Sequence, residues 1–420
     1  MTLTVSKTEQ SILDSIAPMQ SDLMARLESW SAINSGSRNR AGLEKMRGVL
    51  AQAFAPLGAE VTQPALTPAE AVTASGEKTL TEFEPALLIT QRPKAPVQIV
   101  FTGHYDTVFP AVYHFQKPDY LSPSRLRGPG VADMKGGISV MLTALEKLEK
   151  SPNAGNIGYN VLLSPDEEIG SPGSAPLLAK LGKQSHLGLT YEPALADGTL
   201  AGARKGNGNF ALIVKGKAAH AGRDHHLGRN AIAALSRFIV KLDALNGKRD
   251  GVTFNIAKVD GGGANNIVPE LAIGRFNVRM VAADDAGWIQ SRIDDLVAQI
   301  AQEDGITAEL TGGFSRPPKP MAPANARVFD WVKQAGSALG LNIAWSPSGG
   351  VCEGNNLWAG GCPNVDTLGV RGGNIHSDQE FMEVESLVER SRLSTLILLK
   401  LANGEFDAHA VKKLAMQGTK

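Results

Sequence analysis

Apolar residues follow two spacings along this chain, and the alternation between them predicts an α/β protein. Residues 8–58 show the spacing of amphipathic helices, which ends at Gly58. Short apolar runs then predict buried strands, with helices between them over 135–150 and after Ser174. The predicted strands are PALLITQR (85–92), VQIVFTGH (97–104), NVLLS (160–164), LGLTY (187–191) and VDTLGV (365–370). This alternation predicts a central mixed sheet flanked by helices.

Residues 207–318 follow a different order, strand–helix–strand–strand–helix–strand, which is typical of a ferredoxin-like α+β unit. The earlier α/β pattern resumes near Pro320. We therefore predict a discontinuous larger domain, residues 1–206 and 319–420, into which a smaller domain of residues 207–318 is inserted. Roughly the last fifteen residues are expected to form a loosely held tail.

Length and charge narrow the class of protein. A chain of 420 residues exceeds the size of a single hydrophobic core, about 250–300 residues, which supports two domains. Lys plus Arg and Asp plus Glu balance at 42 each, so neither nucleic acid nor an anionic membrane is an expected partner.

We recognise no signal peptide and no membrane span, and we interpret Cys352 and Cys362 as small buried residues rather than a metal or redox pair. These features favour a cytoplasmic protein.

Acidic and histidine residues follow the predicted strands where those strands end. Because ligands of open α/β sheets bind beyond the carboxyl ends of the strands, we expect these side chains to meet in one cleft. They are His104 and Asp106, Glu167 and Glu168, Glu192, and His376, joined by Asp133 before the helix that starts near Lys135.

Each of these residues also has a purely structural interpretation. Asp133 is suited to a helix N-cap, Glu167 and Glu168 to a solvated loop, and a single strand-end histidine to a structural role. A metal site explains their joint occurrence better, because the structural interpretation needs unrelated coincidences at successive strand ends.

Ligand number sharpens the metal hypothesis, since catalytic zinc keeps one of four positions for water. If Asp133 bridges two ions, His104 and Glu192 complete one site, and Glu168 and His376 complete the other. Two carboxylates of this set then have no role as metal ligands. Asp106 is placed to accept the other ring N–H of His104, and Glu167 suits a general base.

Five motifs in this order resemble the M20 metallopeptidase family, which includes glutamate carboxypeptidases, aminoacylases, acetylornithine deacetylases and succinyl-diaminopimelate desuccinylases. The motifs are GHYDTV (103–108), GVADMKGG (130–137), SPDEEIGS (164–171), YEP (191–193) and GGNIHSDQE (372–380). The resemblance implies a zinc-exopeptidase-like catalytic domain with an inserted lid or dimerisation domain. It also implies the ligand set just described, with Glu167 as the base and Asp106 orienting His104.

The same resemblance assigns roles within the inserted domain. GKAAHAG (216–222) resembles the lid motif, which implies that His220 reaches the active site of a partner subunit and donates a hydrogen bond to the oxyanion. ANNIVP (264–269) and FNVRM (276–280) imply that Asn266 and Arg279 bind substrate. Without the resemblance, His220 and Arg279 would be an ordinary loop residue and a surface charge. We interpret His225 and His226 as a solvated turn.

One loop departs from the family pattern. SGGVCEGN (348–355) carries Glu353 close to where relatives have Asp, so its contact with the substrate carboxylate stays open. We predict a homodimeric, zinc-dependent amidohydrolase, for which cobalt or manganese could replace zinc. It would release an amino acid from a peptide or N-acyl substrate near a free carboxylate.

A carboxypeptidase-like activity is favoured, and N-acyl-amino-acid deacylation or desuccinylation is the alternative. A third possibility is a catalytically silent homologue that binds only metal or peptide. No G-x-S-x-G or G-x-x-x-x-G-K-[ST] motif indicates a serine hydrolase or a nucleotide-dependent enzyme.

Overall fold

The structure of this protein, a computed structural model, describes residues 3–417. None of the helices within this range is long and apolar enough to cross a membrane. The helices are α1 (Lys7–Asp14), α2 (Gln20–Ser31), α3 (Arg40–Phe54), α4 (Lys135–Leu148), α5 (Ala175–Gln184), α6 (Ala231–Asp243), α7 (Asp285–Ala301), α8 (Pro323–Ala338), α9 (Glu353–Ala359), α10 (Ser386–Ala402) and α11 (Ala408–Gln417).

Short strands make up the sheets of the protein. They are β1 (Glu60–Thr62), β2 (Ala69–Val72), β3 (Lys78–Thr81), β4 (Leu87–Gln91), β5 (Val97–His104), β6 (Asp119–Ser122), β7 (Arg125–Arg127), β8 (Ile157–Ser164), β9 (Leu187–Thr190), β10 (Ala194–Leu195), β11 (Leu200–Arg204), β12 (Gly206–Lys215), β13 (Thr253–Gly261), β14 (Leu271–Met280), β15 (Thr307–Arg316), β16 (Trp345–Ser348), β17 (Asn364–Val365), β18 (Arg371–Gly373) and β19 (Phe381–Glu383).

The first compact unit contains residues 3–67, 83–203 and 321–417 and is built on a six-stranded mixed sheet. The strand order is β1-β4-β8-β5-β9-β17, in which β8, β5, β9 and β17 are parallel and β4 is antiparallel to β8. The predicted mixed sheet is confirmed. Because β5, β8 and β9 run parallel, their carboxyl ends lie at the same edge, where His104 is in register with Ser164.

Helix α4 is packed closely against its surroundings, and two glycines at its start allow the backbone to approach. Every residue of α4 except Glu146 is buried. A Cβ atom on Gly137 would lie 1.9 Å from the carbonyl oxygen of Tyr191, and one on Gly136 would lie 2.3 Å from that of Val131. Gly137 therefore allows α4 to approach the segment that carries Glu192, and Gly136 allows the close turn of the chain before α4.

Gly137→Ala should destabilise the protein by about 1–3 kcal/mol, because backbone rather than a flexible side chain meets the new methyl group. Gly48→Ala is the matched control. Gly48 is exposed within α3, and its Cβ would meet nothing within 4 Å. Alanine there should stabilise by up to about 1 kcal/mol. Urea unfolding of both variants measures the difference, and equal stability would contradict the packing argument.

The second unit contains residues 68–82 and 204–320. Its strands and helices, β12, α6, β13, β14, α7 and β15, occur in the order that the sequence predicts. They form an antiparallel sheet of order β13-β14-β12-β15, and Phe210, Phe238 and Phe276 lie in a core shared by the sheet and its helices. The β2–β3 hairpin also belongs to this unit, where Arg275 donates hydrogen bonds to the carbonyls of Val72 and Thr73.

Two predictions about secondary structure are wrong. The predicted strand 365–370 ends at Val365, because Thr367 has a φ of 64° and turns the chain out of the sheet. The following strand, β18, pairs instead within a separate five-stranded sheet of order β10-β18-β19-β7-β6.

The predicted loose tail is also wrong for residues 408–417. These residues form α11, which packs against α8 and buries Ala408, Val411 and Ala415. Their helical spacing explains the packing. Residues 418–420, the end of the predicted tail, lie outside the described residues.

Candidate metal centre and active site

His104 and Asp106 lie at the buried carboxyl end of β5, and neither side chain is exposed to solvent. Nδ1 of His104 lies 3.1 Å from the backbone carbonyl oxygen of Asp106 and 3.4 Å from its carboxylate. Nδ1 therefore carries the proton that is donated to this oxygen pair, and Nε2 of His104 points to other carboxylates.

Asp133 lies between two imidazole rings. Its Oδ1 is 3.1 Å from Nε2 of His104, and its Oδ2 is 3.3 Å from Nε2 of His376. The structural interpretation of this residue as a helix N-cap is wrong, because Met134 precedes α4 and no side chain caps that helix. The carboxylate is instead shared between the two histidines.

Glu192 and Glu168 complete two groups of side chains around Asp133. Oε2 of Glu192 is 3.8 Å from Nε2 of His104, and Oε2 of Glu168 is 3.1 Å from Nε2 of His376. The structure thus brings together the residues that were predicted as ligands. His376 reaches them from the loop after β18, so it does not follow a strand of the six-stranded sheet as predicted.

The Glu167–Glu168 pair is buried, so its interpretation as a solvated loop is wrong. Glu167 is 8% exposed, and the Glu168 side chain is 5% exposed. The Asp106 carboxylate accepts hydrogen bonds from the backbone N–H groups of both residues, each at 3.2 Å. Asp106 therefore holds this loop as well as contacting His104.

Ligand-type atoms form two overlapping clusters at this position. Atoms of His104, Asp133 and Glu168 lie within 4.8 Å of one another, and so do atoms of His104, Glu167 and Glu192. Glu167 is thus close enough to act either on a water molecule in the cleft or as a ligand itself, and geometry alone leaves both roles open.

Crowding of carboxylates in a buried site shifts their proton affinities. Burial and the charge of Asp133 raise the pKa of Glu192 to about 7 and hold the pKa of Glu168 well above its usual range. Asp133 and Glu168 raise the pKa of His376 to about 11. Burial lowers the pKa of His104, but the neighbouring carboxylates outweigh it and raise that pKa well above its usual value. A divalent cation would replace these protons as the compensating charge.

Two further residues of this region were not singled out as site residues. Ser37, in the loop before α3, donates a hydrogen bond of 2.7 Å to Asp106. Glu353 is fully buried, accepts a hydrogen bond from Ser164 and interacts electrostatically with His104 and Glu167. Burial holds the pKa of Glu353 well above its usual range. The departure from the family pattern was the available signal for Glu353, whereas no local signal indicated Ser37.

A cavity of about 450 Å³ opens beside Glu168. Its walls come from the loop before α3, the loop after β5 and the residues after β8, and they include Ser37, Arg38 and Val112. It provides room for part of a substrate next to the carboxylate cluster.

The residues predicted to contact substrate, His220, Asn266 and Arg279, all lie in the second unit. Nδ1 of His220 accepts hydrogen bonds from the N–H groups of Gly222 and Arg223, each at 3.1 Å. The ring proton is therefore on Nε2, which is available as a donor. Ala221 donates to the carbonyl of Asn266, so the His220 and Asn266 segments are neighbours.

Arg279 lies near the end of β14, and its Nη1 has no hydrogen-bond partner within residues 3–417. A buried guanidinium nitrogen of this kind is suited to an anionic ligand. His225 and His226 are exposed in a short turn and belong to neither ligand cluster. Both Cys352 and Cys362 are buried free thiols, as predicted.

This chain is similar to several known proteins. Residues 100–400 match the model of peptidase family M20/M25/M40. Carboxypeptidase G2 of Pseudomonas sp. (strain RS-16) is 27% identical over 73% of this chain and 74% of its own length. Succinyl-diaminopimelate desuccinylase of Nitrosospira multiformis is 28% identical over 73% of this chain and 84% of its own. A dinuclear metal-binding M20 peptidase of Bacillus subtilis has a similar fold, with a TM-score of 0.63 and 15% identity over 92% of this chain and 99% of its own.

Proposed function

This chain belongs to peptidase family M20/M25/M40, and we propose that it is a two-metal amidohydrolase that releases an amino acid from a peptide or N-acyl substrate near a free carboxylate. The observation that carries the proposal is the position of Asp133. Its two oxygens face His104 and His376 separately, and one glutamate lies beside each histidine. A carboxylate shared in this way is suited to bridging two cations.

The chemistry of the donors fits zinc. They are imidazole nitrogens and carboxylate oxygens, which zinc accepts, although cobalt and manganese also bind such ligands. The proposed ligands are His104, Asp133 and Glu192 for one ion, and Asp133, Glu168 and His376 for the other. When bound, the two ions would lower the pKa of a shared water molecule and polarise the substrate carbonyl.

Glu167 is the proposed general base. Its carboxylate lies in the cluster with His104 and Glu192, where it would take a proton from the attacking water and pass it to the leaving amine. Asp106 positions this residue, because it accepts the backbone N–H of Glu167 while it contacts His104. One buried carboxylate therefore aligns both a proposed ligand and the proposed base.

Substrate recognition is assigned to the second unit, which we propose to be a lid and dimerisation domain. His220 would donate its Nε2 proton to the oxyanion in the partner subunit's site. Arg279 would bind the substrate carboxylate through its guanidinium, and Asn266 would contact the substrate nearby. The tautomer of His220 and the unpartnered Nη1 of Arg279 support these roles.

We also propose a cytoplasmic location, with which the two buried cysteine thiols, Cys352 and Cys362, are consistent.

Mixing two inactive variants tests whether His220 acts across a dimer. A dimer of one His220→Ala chain and one Glu167→Gln chain contains one complete site. At statistical exchange we expect activity to return to about a quarter of that of the wild type. A mixture of Glu167→Gln and Glu168→Gln is the control, since both changes affect the same unit and no complete site can form. Activity of an isolated monomer, shown by light scattering, would contradict the proposal.

Carboxypeptidase activity is the first candidate, because HAG (220–222) followed by GRNAIAAL (228–235) is closer to the glutamate carboxypeptidases. Deacylation or desuccinylation is the second, supported by the similar identity to the desuccinylase. A panel of dipeptides and N-acyl amino acids, tested with metal-stripped and zinc-reloaded protein, ranks them. Zinc-dependent release of amino acid supports the proposal, and failure to bind metal would refute it.

A further inference from the structure

The geometry points to Glu380 as a positioning residue that holds the loop carrying Asp133 in register with His376. This inference rests on the proposed metal site, but it concerns a residue outside the proposed ligands and the proposed base. Glu380 lies four positions beyond His376 and is 1% exposed. It contacts the other ligand loop rather than the cleft.

Both oxygens of the Glu380 carboxylate are used by one loop. Oε1 accepts hydrogen bonds from the N–H groups of Ala132 at 2.9 Å and Asp133 at 3.0 Å, and Oε2 accepts one from Gly130 at 3.1 Å. The backbone carbonyl of Glu380 accepts a fourth from Gly128 at 3.1 Å. Residues 128–133 are therefore fixed by side chain and backbone of the same residue.

The other side of Glu380 is tied to His376. The N–H of Glu380 donates to the carbonyl of Ser377 at 3.1 Å, which closes a turn directly after His376. The hydroxyl of Ser377 donates to the carbonyl of Asn374 at 2.7 Å. Through these contacts, movement of the His376 loop would carry Glu380 with it, and the position of Asp133 would follow.

Burial of the Glu380 carboxylate is costly, and the hydrogen bonds from the loop together with the attraction of Lys135 offset part of that cost. Lys135, fully buried in the first turn of α4, attracts it electrostatically and donates to the carbonyls of Trp30 and Ile33. An uncharged side chain of the same size would fill this volume without needing a compensating charge. What only a carboxylate supplies is acceptors for three N–H groups of the loop that ends at Asp133.

Glu380→Gln separates positioning from packing. The amide keeps the size of the side chain but replaces one acceptor with a donor, which faces at least one of the three N–H groups. Metal-site geometry tolerates errors of only about 0.5 Å. Glu383→Gln is the matched control, because Glu383 lies on the neighbouring strand β19 and pairs with Arg125 at 2.9 Å instead of with a ligand loop.

The experiment measures metal affinity by chelator competition, the visible spectrum of the cobalt-loaded protein, and kcat and KM. For Glu380→Gln we expect a ten- to hundredfold loss of metal affinity or kcat, an altered cobalt spectrum and a KM within about threefold of wild type. Glu383→Gln should match the wild type. If Glu380→Gln does not fold, Glu380→Asp, which keeps the charge and shortens the reach, takes its place.

Wild-type affinity, spectrum and kcat in Glu380→Gln, or equal losses in Glu383→Gln, would overturn the inference. Failure of the proposed function can be distinguished from failure of the inference about Glu380, because the wild-type protein itself would then hydrolyse no substrate. Chelator competition and the cobalt spectrum would still report on Glu380 in that case.

Discussion

Glu167→Gln should lower kcat by a factor of about 10²–10⁴ while both metal ions stay bound. Glutamine has nearly the same shape as glutamate, and the contact of the backbone N–H with Asp106 does not depend on the side chain. The amide cannot accept a proton from water, so the chemical step is lost while the architecture remains. Steady-state kinetics together with metal analysis of the same sample provide the measurement.

This variant also decides between two roles that the geometry leaves open. Glu167 lies within ligand distance of His104 and Glu192, so a ligand role would appear as loss of one metal ion together with activity. Glu146→Gln is the control for the effect of a Glu-to-Gln change as such, since Glu146 lies on α4, outside the cluster, and pairs with Arg26 of α2 at 3.8 Å. Retention of activity within tenfold of wild type would show that another group serves as the base.

The arrangement of His104, Glu167 and Glu192 was predictable because it depends on local sequence. Apolar runs identify β5, β8 and β9 as buried strands, and buried strands in an α/β protein tend to be parallel. Once they are parallel, residues after each strand must meet at one edge. The prediction therefore needed no knowledge of long-range contacts.

His376 shows where this reasoning stops. It reaches the cluster from a loop of the separate five-stranded sheet. The prediction of His376 at a strand end of the six-stranded sheet was therefore correct about the residue and wrong about its position in the fold. Only the resemblance to the family supported it independently. The β18–β19 pairing that positions this loop joins very short strands, whose apolar pattern is too brief to recognise.

The supporting residues were harder still to predict. Ser37 contacts Asp106 across 69 positions of the chain, and Glu380 contacts Gly130 across 250. Periodicity describes the face of a helix or strand, not the partner of a loop residue. Such contacts depend on tertiary packing, and a single sequence contains no signal for the pairing.

The elements within residues 204–320 were predictable because they are long and strongly periodic. Strands β12, β14 and β15 have ten residues each, and α7 has seventeen. The hairpin at residues 68–82 was not anticipated, because its attachment through Arg275 joins segments about 200 residues apart. The order of the helices and strands along the chain was predictable, whereas the packing of the remote hairpin into the second unit was not.

Asp133→Asn should abolish tight binding of both metal ions, in contrast to changes at the outer ligands. Each Asp133 oxygen faces a different histidine, so the amide removes one oxygen donor and weakens the remaining one. We expect Glu192→Gln and Glu168→Gln each to weaken mainly one ion. Metal counting after equilibration with a limiting chelator separates these patterns.

The expected loss of activity in Asp133→Asn is on the order of a thousandfold or more. Metal ions contribute several kcal/mol of transition-state stabilisation, and each 1.36 kcal/mol corresponds to a factor of about ten in rate. Circular dichroism of the metal-free variants should match that of the metal-free wild type, because α4 is held by packing along its length. If Asp133→Asn lost only one ion while the other remained tight, the two clusters would be independent sites. A shared carboxylate predicts instead that neither ion is held without it.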